Sequence, residues 1–171
     1  MLTLTLLRHA KSSWTDPSLD DHDRPLAKRG VKAVPLVAEY MRQQNITPDI
    51  VLCSDAMRTR ATLALLLAEL GTPNPRVVYD ETLYLAAPQT IMSAVAECGE
   101  KHVLIVGHNP GMHALALELV GDGNRKLLST LAREFPTAAL AVLTFDVASW
   151  NDVKPLSGQL THFTTPRKLA D

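Results

Sequence analysis

The chain has 171 residues, 46% of them apolar and 20% charged, and a formal net charge of −1. That composition supports a globular core rather than disorder, and the interspersed charges give no basic stripe of the kind a nucleic-acid binder uses. No run approaches the ~18 apolar residues of a membrane span, so a single domain over residues 1–171 is expected, cytoplasmic and monomeric.

LTLTLL, Leu2–Leu7, is an apolar and β-branched run that reads as a short buried strand, delivering Arg8 and His9 at its carboxyl end. Residues 10–25 follow as a polar loop with two prolines and a cluster of aspartates, long enough to serve function. A helix is expected from Arg24, with Pro25 in its first turn and Pro35 as a kink or boundary. Asp49–Cys53 reads as a second strand ending at Ser54, and Ala56–Leu70 as a helix closed by Gly71. RVVYDETLY, from Arg76, gives a third strand, and PQTIMSAVAECG a helix with Pro88 at its start and Gly99 past its end.

The clearest strand–helix unit is KHVLIVGHNPGMHALALELVG. Strand His102–Val106 leads to Gly107 and His108, with Asn109–Pro110 as cap and first turn of a helix through Val120. A short helix around Lys126–Arg133, a strand over Ala138–Asp146 and a final strand over Gly158–Pro166, antiparallel to it, complete the chain. This alternation predicts an α/β fold, a three-layer α/β/α arrangement on a mixed, mainly parallel sheet.

Three strands thus end in reactive or anion-binding residues: Arg8 and His9, Ser54 with Arg58 one turn into the helix, and His108. If those ends share one sheet edge, two arginines and two histidines meet in one crevice. Guanidinium forks match phosphoryl oxygens, a neutral imidazole can attack phosphorus, and a protonated second imidazole can hydrogen-bond equatorial oxygens. Each residue alone has an ordinary structural reading; their convergence on strand-to-helix junctions favours chemistry. His22, His102, His113 and His162 read as surface or structural.

No metal or cofactor is expected. The cysteines Cys53 and Cys98 lack metal spacing, His108 and His113 lie off one helical face, and Asp16–Asp23 reads as a solvated loop rather than a magnesium site. GHNPG is neither a Walker loop nor a dinucleotide fingerprint, and no G-x-S-x-G elbow surrounds Ser12, Ser13 or Ser54.

LLRHAKS (Leu6–Ser12), SDAMRTRAT (Ser54–Thr62) and VGHNPG (Val106–Gly111) together resemble the histidine phosphatase superfamily, the phosphoglycerate-mutase-like fold. RHAKS, the DHDRPLAKRG segment from Asp21 to Gly30 and VGHNPG resemble its SixA-type phosphohistidine phosphatase branch. The resemblance covers nearly the whole chain. It implies that His9 is the phosphorylated nucleophile and that Arg8, Arg58 and His108 form the phosphate pocket, with Ser12 and Arg24 as pocket neighbours.

Many superfamily members carry a glutamate general acid after the third strand. Here Leu85 falls at that place and Glu81 lies four residues earlier, as the SixA-like branch implies. The absence suits an easy leaving group: an alkoxide is very poor (water has a pKa of about 15.7), whereas imidazolium has one of about 6.5, so a phosphoramidate carries its own leaving-group proton. The expected function is therefore hydrolysis of phosphohistidine on a protein such as a phosphotransfer domain, through phospho-His9. The alternatives are a small-molecule phosphomonoesterase or mutase of the same superfamily, and a non-catalytic phosphohistidine-binding adaptor.

Overall fold

The computed structural model describes residues 1–71 and 73–171. In chain order its elements are β1 (Leu2–Arg8), α1 (Lys28–Gln43), β2 (Ile50–Ser54), α2 (Met57–Leu70), β3 (Arg76–Asp80), α3 (Pro88–Cys98) and β4 (His102–Gly107). They continue with α4 (Gly111–Leu119), β5 (Val120–Gly123), α5 (Arg125–Arg133), β6 (Leu140–Phe145), β7 (Gly158–Thr164) and α6 (Pro166–Ala170).

Continuous apolar runs in β1, β2 and β4 make sense because each is buried on both faces. In β1, Leu2, Leu4 and Leu6 enter one core cluster and Leu7 the other. Ile50 and Leu52 of β2 face the first, Val51 and Cys53 the second; β4 divides Val103 and Ile105 from Leu104 and Val106 in the same way. The seven strands form one sheet in the order β3-β2-β4-β1-β6-β7-β5. β3, β2, β4 and β1 pair in parallel, β6 is antiparallel to both β1 and β7, and β5 runs parallel to β7. The sheet is therefore mixed and mainly parallel. Helices α3, α4 and α5 cover one face through residues such as Ile91, Leu115 and Leu131. Helices α1 and α2, with Leu169 of α6, cover the other through Val37, Met41, Leu63 and Leu66.

Several boundaries differ from expectation, each for a local reason. Helix α1 starts at Lys28, not Arg24, because 24–27 is extended and pairs with 11–13: Ser13 N–H donates to the Pro25 carbonyl (2.8 Å) and Ala27 N–H to that of Lys11 (2.9 Å). Pro35 sits inside α1 without ending it. Gly30 is required there, since a Cβ would fall 2.2 Å from the Lys11 carbonyl oxygen. Strand β3 stops at Asp80, whose side chain accepts from Thr82 N–H and turns Glu81–Leu83 into a 3₁₀ turn. Helix α4 starts at Gly111 with Pro110 as its N-cap residue, one position later than the expected Asn109–Pro110 pairing. Strand β5 and helix α6 were not expected. VGDG carries little β-propensity, and PRKLA is a single turn or so, capped by Thr165 and packed on α1. Among the described residues, no helix is long and apolar enough to cross a membrane.

Candidate active site

Strands β1, β2 and β4 are parallel neighbours, so their carboxyl ends open on one edge. Arg8 lies in register with Gly107, and the His9 N–H donates to the Gly107 carbonyl (3.1 Å). Met57–Leu70 begins directly beyond Ser54, which points Arg58 into the same crevice from the first turn of α2. His9, Arg58 and His108 are all buried there, at 6%, 3% and 2% exposure.

His9 is held in one tautomer. Its Nδ1 lies 2.8 Å from the Ala10 carbonyl and so carries the proton. The loop is braced in turn: Ala10 N–H donates to Thr62 Oγ1 (2.9 Å), which donates to the Arg58 carbonyl (2.7 Å). Nε2 is left as the lone-pair nitrogen, with no hydrogen-bond partner among the described residues. Burial, reinforced by the nearby Arg58, Arg8 and Arg24 cations and partly opposed by the Ala10 carbonyl, lowers the His9 pKa to about 4. The imidazole is therefore neutral near pH 7.

The His108 ring centroid lies 5.4 Å from that of His9. Its Nδ1 is 3.4 Å from Arg58 Nη2, which can only donate, so Nε2–H donates to Ser54 Oγ at 2.7 Å. Burial first, then Arg58 and His9, lower its pKa to about 3. Arg8 Nη1 donates to the Phe135 carbonyl (3.1 Å), a carbonyl that Asn109 Nδ2 also reaches (2.8 Å). Among the described residues, Arg8 Nε and Arg58 Nε are buried with no hydrogen-bond partner. Buried donors are rarely left unmet, and two at one site mark a place for an anion.

Ser12 and Arg24 are also buried beside this crevice, but they are engaged with each other, Asp21 and the Ser13–Trp14 segment. Arg24 Nη1 donates to Ser12 Oγ (2.9 Å), Arg24 Nε to Asp21 Oδ1 (3.2 Å), and its guanidinium stacks 3.4 Å from the Trp14 ring. Asp21 is the residue that sequence reasoning missed, because the aspartate loop read as solvated. Arg58 Nη1 donates to its carbonyl (2.7 Å) and Nη2 to its Oδ2 (2.9 Å), while the Tyr84 hydroxyl donates to the same oxygen. The Tyr84 bond above all, with those from Arg58 and Arg24, brings the Asp21 pKa to about 2. The Asp21–Arg24 i,i+3 pair was a faint signal. Tyr84, edge-on to His22 and His108, gave none.

The remaining histidines are engaged elsewhere: His22 with Asp55, His102 with Thr5, His113 with the Leu131 carbonyl and His162 with Thr161. Glu81 is exposed, and Leu85 is exposed with φ +49°. Among the described residues, no group of three or more His, Cys, Asp and Glu is placed to hold a metal ion. What the crevice offers is two neutral imidazoles and the guanidiniums of Arg8 and Arg58, with the ionised Asp21 holding Arg58 and Arg24, an arrangement fit to bind a dianion beside an imidazole nitrogen.

The family model of the histidine phosphatase superfamily (branch 1) matches residues 4–84, from β1 to Tyr84. An uncharacterised protein of Mycobacterium tuberculosis is 38% identical over 94% of this chain and all of its own length. Among solved structures, a protein from Agrobacterium tumefaciens assigned as phosphohistidine phosphatase SixA is similar over 96% of this chain and 98% of its own, at 30% identity and TM-score 0.80. Another so assigned, from Nakamurella multipartitia, covers 96% of both chains at 31% identity and TM-score 0.78. The protein histidine phosphatase SixA complexed with tungstate shares the fold at 20% identity, TM-score 0.76, over 98% of this chain and 99% of its own.

Proposed function

The chain belongs to the histidine phosphatase superfamily, and from that premise we propose that it is a cytoplasmic phosphohistidine phosphatase. Its substrate in this reading is a phosphohistidine on a partner protein such as a phosphotransfer domain, hydrolysed through a covalent phospho-His9. One observation carries it: the neutral His9, its Nδ1–H tied to Ala10 and its Nε2 unpartnered, beside two buried guanidinium Nε–H donors that lack an acceptor.

In the first step the Nε2 lone pair forms the bond to phosphorus, and the P–N pair returns to the substrate nitrogen. The leaving imidazole already carries a proton on its other nitrogen and departs neutral. Phospho-His9 keeps its Nδ1–H against the Ala10 carbonyl and is cationic, which primes it for the second step. Water oxygen then bonds to phosphorus, the P–Nε2 pair returns to His9, and the water protons stay with phosphate and solvent. Arg8 and Arg58 neutralise the equatorial oxygens as charge shifts. His108 accepts at Nδ1 from Arg58 and donates from Nε2 to Ser54, which holds the Arg58 fork in place beside the phosphoryl group.

The carboxylate inventory favours the phosphoramidate over an ester. Asp21, with a pKa of about 2, is ionised and cannot protonate an alkoxide, and Glu81 makes no contact with the crevice guanidiniums. General-acid catalysis contributes about 10²–10⁴-fold, and an ester substrate would forfeit it. The test compares a phosphorylated histidine-phosphotransfer domain with a phosphoserine peptide. The phosphohistidine substrate should lead in kcat/KM by at least about 10²-fold; equal turnover of the two would overturn the reading.

A further inference from the structure

A cleft of about 580 Å³ runs between α1, α6 and the segment before β6, and four exposed cations line it: Lys11, Arg29, Lys32 and Arg167. Glu134 is its one acidic lining residue, and among the described residues none of the four cations forms an ion pair. Leu36 and Pro136 add apolar lining. One end abuts the crevice: Lys11 lies two residues past His9, and Pro136 follows Phe135, whose carbonyl holds Arg8. A neighbouring cleft adds Arg125, Lys126, Arg133 and Lys168, so eight of the chain's 17 basic residues gather on this side of a molecule with net charge −1. Glu134 and Asp171 are the acidic residues of the cleft that joins the two, and it is the first cleft, through Lys11 and Pro136, that reaches toward His9.

We infer that this cleft docks an acidic, amphipathic surface segment of the protein that presents the phosphohistidine. The inference rests on the proposed function and adds to it how the substrate is chosen. A small anion would need convergent, buried donors, as Arg8 and Arg58 supply for the phosphoryl group. Four solvated cations, one in the loop after β1, two on α1 and one on α6, beside apolar Leu36 and Pro136, instead match several carboxylates spaced along a protein surface. Such complementarity acts chiefly on encounter rate and selectivity, and weakens with salt.

The full-length chain and a triple variant, Arg29→Gln with Lys32→Gln and Arg167→Gln, would be assayed on two substrates across a salt series. These are an acidic histidine-phosphotransfer domain phosphorylated with phosphoramidate, and free phosphohistidine. Lys101→Gln with Lys154→Gln, at the opposite edge of the sheet, is the control. At low salt the triple variant should lose roughly tenfold in kcat/KM on the protein. The gap should close as salt rises, with free phosphohistidine changing less than about twofold. Unchanged turnover of the protein, or a loss shared by free phosphohistidine or by the control variant, would each overturn the docking surface. If the unmodified chain leaves both phosphohistidine substrates intact, the proposed function itself fails, and the docking surface with it.

Discussion

Lowering the pH should reveal His9 as a buried neutral base, through stability and not activity alone. Its folded pKa of about 4 lies below the ordinary 6.5, so between those values the unfolded chain binds a proton that the native one refuses. Stability contributed by this neutral burial is complete above pH 6.5 and declines as pH falls toward 4. Over about 2.5 pH units at about 1.4 kcal/mol each, His9 accounts for about 3 kcal/mol of that decline. His108 acts in the same direction over a wider window, down to about 3. Asp21 enters only below its unfolded value of 3.8, where stability falls as pH drops through about 2. His22, half-buried and raised by Asp55, has the opposite sign: its contribution is present below 6.5 and is lost as pH rises through its folded pKa. Urea denaturation of the unmodified chain and of His9→Asn, from pH 4.5 to 7, isolates the effect. Asn can still donate to Ala10 but cannot titrate, so the slope of stability against pH should fall by about 1.4 kcal/mol per pH unit. Equal slopes in the two proteins would refute a neutral, desolvated His9.

Other outcomes follow from single contacts. Arg58→Lys keeps the charge but loses the fork that spans Asp21 and leaves Nε for an anion, so kcat/KM should fall at least about 100-fold in a phosphohistidine assay while the fold is retained by circular dichroism. Ser54→Ala strands the buried His108 Nε2–H; chemical denaturation should show a loss of about 1–3 kcal/mol, and nitrogen NMR a change in the His108 tautomer. Gly111→Ala would place a Cβ 1.8 Å from the Ala86 carbonyl oxygen, pushing the Tyr84–Ala86 segment away from α4. Thermal unfolding should report a destabilisation of about 3 kcal/mol, with KM for phosphohistidine raised as Tyr84 shifts.

The legible parts of the sequence were those governed by local pattern. β1, β2 and β4 could be read because two-sided burial demands unbroken apolar runs, and their polar terminators, Arg8, Ser54 and Gly107–His108, stand where the pattern breaks. Strand adjacency was not written locally: β4 inserts between β1 and β2, and that insertion brings His108 to 5.4 Å from His9. VGDG in β5 pairs with β7 against its own propensity, because Gly121 lets the Leu156 carbonyl approach. Asp21 was hidden for the same reason. Its partners Arg58 and Tyr84 lie 37 and 63 residues away, and beyond the faint i,i+3 pairing with Arg24 the aspartate-rich stretch does not distinguish the carboxylate that reaches them. Arg24 likewise read as the start of a helix, whereas its extended backbone frees the side chain to brace Asp21 and Ser12.

In the proposed reaction His9 carries the phosphoryl group. The chain would be mixed briefly with a phosphorylated histidine-phosphotransfer domain, quenched in base to preserve phosphoramidates, digested and examined by mass spectrometry. A phosphorylated peptide containing His9, acid-labile and short-lived, should appear, and should be absent from His9→Ala together with loss of turnover. Turnover that persists in His9→Ala, or a phosphoryl group found on another residue, would contradict that role of His9.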